Sequence, residues 1–347
     1  MKILLDAMGG DNAPKSTVQG AADAVKEFGD GMTLALLGDE AKIKAAAQEL
    51  GVDLTPFELI HCTEDVDMHD DPVKAVRHKT DSSLVKGLTM LKNGEADAFV
   101  SAGSTGALLT GATLLVKRVK GIRRAAMGPA MPNKAGGKTV IVDCGANAEC
   151  TPEFLLQFGL VGSVYAKKQL GIENPKVGLL NIGTEDSKGT ALQKEAYALL
   201  KNAGEKGLVN FVGNVEARDV PLGAVDVVVC DGFNGNVLLK TIEGTAMFMG
   251  SLMKKMFKKN LLSKLGYLLC ASGVKDLMKM LDYREIGGTP FLGIRKPVIK
   301  AHGASDVLAF RNAVKQAADV AASDITGELE ENLQRLAAEK EKVTEHD

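Results

Sequence analysis

The chain is long and nearly neutral in charge. It has 347 residues, with 42 Lys and Arg against 44 Asp and Glu, and 45% of its residues are hydrophobic. This apolar content excludes a wholly disordered chain, and the length fits two average domains or one large α/β body. Balanced charge and a 4% aromatic content argue against a nucleic-acid binder, because such proteins carry excess basic charge and stacking rings.

Short apolar runs alternate with longer helical ones along the chain. Strands are predicted at 2–6, 32–37, 57–62, 96–101, 138–143, 176–181, 208–213 and 225–231. Helices are predicted at 15–28, 40–50, 82–92, 105–119, 152–170 and 190–202. This order predicts an α/β fold with a mostly parallel, doubly wound sheet. We expect one catalytic body over 1–325 and a charged tail helix over 326–347 that extends into solvent.

Neither a membrane span nor a secretion signal is expected. No apolar run reaches the ~20 residues that a transmembrane helix needs, and the first residues are too short for a signal-peptide core. The five cysteines form no CxxC pair, which argues against a zinc site or a disulfide framework. The sequence therefore predicts a cytoplasmic protein without a cofactor or a bound metal.

Six predicted strands end in glycine and small polar residues, and most of these turns open a helix. Ligands of open α/β sheets bind at the carboxyl ends of strands, and helix N-termini present free N–H groups to anions. We therefore expect one shared polar cleft. The candidate binding residues for phosphate or another substrate are Asp6, Gly9, Gly10, Asp11, Gly103, Ser104, Thr105, Gly106, Asp143, Asn147, Gly183, Thr184, Glu216, Asp231, Gly232, Asn234 and Gly235.

Familiar nucleotide and hydrolase motifs are absent from these loops. No GxGxxG follows a predicted strand, and the Gly137-Lys138-Thr139 segment has Pro132 where a P-loop needs glycine. Neither HExxH nor GxSxG occurs. Strand-end carboxylates such as Asp6 and Asp143 leave a magnesium site as an alternative, but the adjacent Asn and Gly residues favour the orientation of a polar ligand.

Several of the loops together resemble one known family. They are DAMGGD at 6–11, VSAGSTGA at 100–107, GLLNIGTE at 178–185, GNVEARD at 213–219 and DGFNGNV at 231–237. In this order they are similar to the bacterial phosphate acyltransferases of the PlsX family, over residues 1 to about 325. The chain departs from the family at Asn12, where His is common, and it carries the late His-Gly run as His302-Gly303-Ala304-Ser305.

The resemblance implies transfer of a long acyl chain from acyl carrier protein to inorganic phosphate, which gives acyl phosphate for phospholipid synthesis. It also implies the fold of isocitrate and isopropylmalate dehydrogenases and of phosphate acetyltransferase. A homodimer is implied, as are peripheral association with the inner face of the cell membrane and contact with a downstream membrane glycerol-3-phosphate acyltransferase. The candidate catalytic residues are Asn181, Glu185, Lys188, Asn214, Arg218, Asn236, Lys240 and His302.

This chemistry requires few reactive side chains. Phosphate is itself the nucleophile, and a leaving thiol with a pKa of ~8.5 needs little help from a general acid. The site must instead hold an anion and donate hydrogen bonds to the developing oxyanion. Alternatives remain for single residues: Cys144 or Cys230 as an acyl carrier, His302 as a structural imidazole, and Arg218 and Lys240 as surface ion pairs.

Two other functions remain as alternatives to acyl transfer. A decarboxylating dehydrogenase of the same fold class would need nicotinamide-binding and metal-binding residues, which the sequence does not display. A non-catalytic carrier-docking or membrane-docking protein would leave the polar strand ends without a role.

Residues 246–281 form a basic amphipathic segment, with seven lysines against one acid, Asp276. Such a segment is typical of membrane-surface or partner-binding helices, and a core or dimer helix is the alternative. Lysines there also suit an acidic carrier protein. The candidate contact residues are Lys254, Lys255, Lys258, Lys259, Leu261, Leu262, Leu265, Leu268 and Leu269.

Overall fold

The computed structural model describes residues 1–29, 31–280 and 282–344, and in this part of the chain strands and helices alternate. The strands are β1 (Lys2–Asp6), β2 (Thr33–Gly38), β3 (Phe57–His61), β4 (Ala98–Ser101), β5 (Ala126–Met127), β6 (Ala130–Pro132), β7 (Lys138–Val142), β8 (Lys176–Asn181), β9 (Asn210–Glu216), β10 (Val227–Val229), β11 (Gly288–Leu292) and β12 (Val298–Ala301). The helices are α1 (Lys15–Phe28), α2 (Glu40–Leu50), α3 (Pro72–His78), α4 (Ser83–Asn93), α5 (Thr105–Gly111), α6 (Pro152–Leu170), α7 (Ala191–Glu205), α8 (Gly232–Phe257), α9 (Leu261–Met280), α10 (Val307–Ala322) and α11 (Ile325–Thr344).

The strands form two mostly parallel sheets. One has seven strands in the order β3-β2-β1-β4-β12-β11-β5, and the other has five in the order β6-β7-β10-β8-β9. Among the described strands, the antiparallel pairs are β11 with β12, β11 with β5, and β6 with β7. The predicted α/β class is confirmed, and each of the eight predicted strands is present with ends within three residues of the prediction. The division into two sheets was not predicted, nor were β5, β6, β11, β12, α3 and α10.

One hydrophobic core connects the two sheets. It includes Ile3 of β1 and Val142 of β7, and most of the buried apolar residues of α6 belong to it. Because α6 is apolar around most of its circumference, it is buried between neighbouring elements and not on the surface. Its Gly162 lies so close to β10 that an added Cβ would be 2.6 Å from Val227 Cγ1.

The C-terminal helix expected over 326–347 is present as α11, and its first turns pack on the protein, although the sequence predicted a helix that extends into solvent. Leu329 is 1% exposed, and Leu333 is also buried. Glu328 pairs with Lys167 and Lys168 of α6 at 2.7 and 3.1 Å. Burial of its apolar side therefore holds this helix against the protein despite its acidic composition. Residues 345–347 of the predicted tail lie outside the described residues.

Within the basic segment 246–281, the end of α8 and the whole of α9 pair as a hairpin, and residue 281 lies outside the described residues. The rings of Phe257 and Tyr267 meet edge to face across the hairpin at 5.3 Å. Buried residues of α8 are confined to its first two turns, and α9 has none. The hairpin therefore leaves apolar side chains uncovered in this chain. No helix in the described part of the chain is long and apolar enough to cross a bilayer.

Candidate functional site

The loops after β1, β4 and β12 are joined by hydrogen bonds, because these strands are neighbours in the seven-stranded sheet. Buried Asp6 accepts a hydrogen bond from the Ser101 hydroxyl at 2.6 Å and another from the Gly9 amide at 3.1 Å. The amide of Asp11 donates to the Gly303 carbonyl at 2.8 Å. Desolvation raises the pKa of Asp6, while its hydrogen bonds act in the opposite direction. Asp6 therefore organises the loops from the interior.

The first loop requires glycine for close packing. A Cβ at Gly9 would lie 2.6 Å from both Asp6 Oδ2 and the Gly103 amide nitrogen. Asn12, which stands where the resembling family commonly has His, uses its side-chain amide to reach the carbonyl oxygens of Ser305 at 3.2 Å and Ala304 at 3.4 Å. In this chain position 12 therefore holds the β12 loop against the β1 loop.

A second set of bonds joins the loops after β7 and β10. Asp143 accepts from the Asn147 amide at 2.6 Å, and the Gly232 amide donates to the Asn147 carbonyl at 2.7 Å. Asp231 caps α8 by accepting from the Asn234 amide at 2.9 Å. Burial raises the pKa of Asp143. These contacts fix the start of α8, so that residues spaced along this helix extend into one cleft.

The cleft has a volume of ≈ 820 Å³ and is lined from both sheets. Five of the sequence-predicted residues line it: Asp11, Thr105, Asn236, Lys240 and His302. The apolar part of its wall includes Met127, Pro129, Ala130, Met131, Leu239, Ile242, Ala246, Met280 and Ile286. Polar groups and a large apolar surface thus share one cavity.

Twelve other predicted residues shape or border the loops without lining this cleft. They are Asp6, Gly9, Gly10, Gly103, Ser104, Gly106, Asp143, Asn147, Asp231, Gly232, Asn234 and Gly235. Ser104, for example, caps α5 by accepting from the Ala107 amide.

The remaining predicted residues lie at the ends of β8 and β9, away from the cleft lining. They are Asn181, Gly183, Thr184, Glu185, Lys188, Asn214, Glu216 and Arg218. There the Asn214 side chain donates to the Glu185 carbonyl at 2.7 Å, and Arg218 pairs with Glu216 at 2.8 Å. Strand order explains this separation, because β10 stands between β7 and the β8–β9 edge.

Sequence reasoning missed three charged residues of the cleft: Lys134, Glu243 and Lys300. Glu243 pairs with Lys240 at 2.7 Å, one turn along α8. Lys300 belongs to the fully buried strand β12. The signal that could have identified it is a lysine inside the apolar run Val298-Ile299-Lys300-Ala301, directly before His302.

Among the described residues of the cleft, no cysteine has a lowered pKa that would favour a thiolate nucleophile. Burial raises the pKa of Cys144, which lines the cleft, and of its neighbour Cys230. Partial burial lowers the pKa of His302, and the charges of nearby lysines add to this effect. Its Nδ1 accepts from the Ala304 amide at 3.2 Å, which places the proton of the neutral ring on Nε2. Among the described residues, no group of three or more His, Cys, Asp or Glu could hold a metal ion.

Two mostly parallel sheets with a cleft lined from both define an α/β protein of the phosphotransacetylase fold class. A phosphotransacetylase from Streptococcus pyogenes has this fold, with a TM-score of 0.58, 17% identity, and coverage of 95% of this chain and 94% of that chain. The fold expected from the resemblance is therefore confirmed.

Sequence comparison identifies the family within that class. A family model described as "Fatty acid synthesis protein" matches residues 1–327. A phosphate acyltransferase from Alkaliphilus oremlandii (strain OhILAs) is 48% identical over 336 residues, which cover 97% of this chain and 98% of the relative. A phosphate acyltransferase from Geobacillus thermodenitrificans (strain NG80-2) is 46% identical, with coverage of 97% and 100%. The chain belongs to this family, and the resemblance seen in its loops is confirmed.

Proposed function

We propose that this protein transfers a long acyl chain from acyl carrier protein to inorganic phosphate. In the reaction a phosphate oxygen of HPO₄²⁻ attacks the thioester carbonyl carbon. The new C–O bond forms, the C–S bond breaks, and the proton carried by phosphate ends on the departing thiol. The products are acyl phosphate and the free carrier thiol, and the acyl phosphate then serves an acyltransferase of phospholipid synthesis.

The observation that carries this proposal, besides family membership, is the mixed lining of the cleft. Thr105, Lys240 and His302 offer polar contacts to an anion, and the apolar wall offers a surface to an acyl chain in the same cavity. This lining suits both substrates, because phosphate is an anion and the fatty acyl chain of the thioester is apolar. Residues 1–325 act as one catalytic body in this proposal, because both sheets contribute to the lining.

The cleft residues have distinct roles in this scheme. The Nε2 proton of neutral His302 and the amide of Asn236 donate hydrogen bonds toward the carbonyl oxygen as negative charge develops on it. No covalent acyl-enzyme is required, which agrees with the raised pKa values of Cys144 and Cys230. Catalysis then rests on orientation and electrostatic stabilisation in a partly dehydrated cavity.

The proposal is tested by incubating the purified protein with palmitoyl-acyl carrier protein and phosphate and trapping acyl phosphate with hydroxylamine. We expect hydroxamate that depends on both phosphate and enzyme, and a loss of ~10-fold or more in kcat for Asn236→Ala or His302→Ala. A parallel reaction with palmitoyl-coenzyme A compares the two donors. If neither donor gives hydroxamate that depends on phosphate, the proposal is overturned.

We further propose that the α8–α9 hairpin attaches the enzyme to an anionic lipid surface, where its product is consumed. Leu261, Leu262 and Leu269 are each about four-fifths exposed, at 81%, 79% and 83%. Lys254, Lys255, Lys258 and Lys259 are exposed at the end of α8 and its turn. Apolar insertion combined with basic charge is the pattern of interfacial helices. A homodimer through the same hairpin and docking of acidic carrier protein are the competing uses.

Vesicle sedimentation separates these uses. We expect binding to vesicles of phosphatidylglycerol but not of phosphatidylcholine, and loss of binding when the four lysines are changed to Glu or when Leu261, Leu262 and Leu269 are changed to Ser. Light scattering gives the oligomeric mass of each variant. Unchanged sedimentation of both variants would overturn the membrane proposal. A change of mass alone would assign the hairpin to the dimer.

A further inference from the structure

Lys300 occupies an unusual position for a lysine. It lies in β12, inside the seven-stranded sheet, where it pairs with Ser101 of β4 and Thr289 of β11. Every residue of this strand is buried, and Lys300 itself is 8% exposed. Lysine is almost never buried to this extent without a partner of opposite charge. Its retention in the sheet therefore calls for a compensating interaction.

The contacts of the Lys300 ammonium compensate its charge only in part. Its Nζ donates to the carbonyl oxygen of Ala102 at 3.2 Å and to that of Ala301. An ammonium has three N–H donors, so these two carbonyls leave one donor. In the described part of the chain, no carboxylate lies within ion-pair distance of Nζ. Asp6 and Asp11 act on it only through longer-range attraction.

The remaining donor belongs to a group that lines the candidate cleft. Lys300 shares this lining with Asp11, Thr105 and His302. Lys240, another lysine of the cleft, is exposed and already paired with Glu243 at 2.7 Å. Lys134 is exposed at the rim. Lys300 is therefore the lysine of the cleft that combines burial with an unneutralised charge among the described residues.

We propose that the ammonium of Lys300 binds the phosphate that attacks the thioester, an inference that rests on the proposed acyl transfer to phosphate. The two backbone carbonyls hold Nζ in place before substrate arrives, so little reorganisation is needed on binding. A phosphate oxygen takes the third N–H as a charge-assisted hydrogen bond. Phosphate thereby supplies the negative charge that no described carboxylate places within ion-pair distance of this ammonium.

The alternative is a purely structural lysine that balances the buried Asp6. Substitution of a structural lysine would lower stability and affect both substrates alike. Substitution of a phosphate-binding lysine would act on phosphate and spare the carrier substrate. The two roles are thus separated by the KM values of the two substrates.

The experiment compares Lys300→Met, which keeps most of the side-chain volume, with Lys300→Ala and with the control Lys296→Met. Lys296 precedes the same strand, is partly buried, and donates to the Ala96 carbonyl at 3.1 Å, but it does not line the cleft. Steady-state kinetics give KM for phosphate and for palmitoyl-acyl carrier protein. Equilibrium dialysis with radiolabelled phosphate measures binding without turnover, and thermal unfolding shows whether each variant is folded.

For Lys300→Met we expect KM for phosphate to rise roughly 10- to 100-fold, the cost of losing a charged hydrogen bond, while KM for the acyl donor changes less than about threefold. Ethylammonium should restore part of the activity of Lys300→Ala by entering the vacated space. Lys296→Met should behave like the wild type toward phosphate. An unchanged KM and unchanged dialysis for a folded Lys300→Met would overturn the inference, even where the wild type forms acyl phosphate. A wild type without phosphate-dependent transfer would instead refute the proposed function.

Discussion

The Ser101 hydroxyl donates a hydrogen bond of 2.6 Å to Asp6 Oδ2, and this contact joins residues 95 positions apart at the ends of two neighbouring strands. Both residues are buried. Because a buried carboxylate that loses a donor keeps its desolvation cost, Ser101→Ala should lower the free energy of unfolding by about 1–3 kcal/mol. The measurement is urea denaturation followed by circular dichroism.

A matched control is the exposed hydroxyl of Thr55, which donates to Asp53 at 2.6 Å. Thr55→Ala removes the same kind of bond where water can replace it, so we expect a change within about 0.5 kcal/mol. Equal effects of the two substitutions would contradict the assignment of Asp6 as the interior organiser of the loops.

Titration of Lys300 should change the free energy of unfolding with pH. Desolvation lowers the pKa of its ammonium to about 8, while Asp6 and Asp11 oppose the shift. In the unfolded chain the pKa of lysine is ~10.4, so between about pH 8 and pH 10.4 the unfolded state binds more protons than the folded state. The free energy of unfolding of the wild type, relative to Lys300→Met, should therefore rise with pH across this window, by up to about 3 kcal/mol.

The measurement is urea denaturation of both proteins at intervals of half a pH unit without phosphate, since a bound anion would favour the charged ammonium. Lys296→Met serves as the reference for a lysine outside the cleft. A wild-type curve parallel to that of Lys300→Met between pH 8 and pH 10.4 would contradict the burial of a charged lysine.

Cys144, which lines the cleft, should be dispensable for turnover. Because burial raises the pKa of Cys144 and Cys230, their thiolates are scarce at neutral pH. Cys144→Ala should keep kcat within about threefold in the hydroxylamine assay. Iodoacetamide should modify exposed Cys270 in the native protein before Cys144, as mass spectrometry of peptides would show. A loss of activity greater than about 100-fold for folded Cys144→Ala would restore the acyl-enzyme alternative.

The C-terminal helix should contribute to stability. Leu329 is 1% exposed and belongs to the core that includes α6. Leu329→Ala should lower the free energy of unfolding by about 2–5 kcal/mol, through lost burial and the cavity left behind. Leu261→Ala, at a position that is 81% exposed, is the matched control, and we expect it to change stability by less than about 0.5 kcal/mol. If both variants unfold at the same urea concentration, α11 does not pack as described.

Much of the local structure could be predicted from the sequence, because strands and helices each have a characteristic spacing of apolar residues that is visible within a short segment. The strands over 2–6 and 176–181 and the helix over 152–170 have the predicted ends. The glycine and aspartate residues after the strands were also recognised as loop-forming. Their chemistry is local: a turn needs glycine, and a helix start needs a capping oxygen.

The strand order, by contrast, depends on contacts between distant segments and leaves no local trace. It brings the β1, β4 and β12 loops together and places the β8 and β9 loops at the far edge of the other sheet. Sequence alone therefore treated six strand ends as equivalent, and only four of them contribute to the loops that build the cleft. The sequence does carry a signal for Lys300, a lysine inside the apolar run 298–301, but only the neighbouring strands of the sheet show that this lysine is buried and lines the cleft.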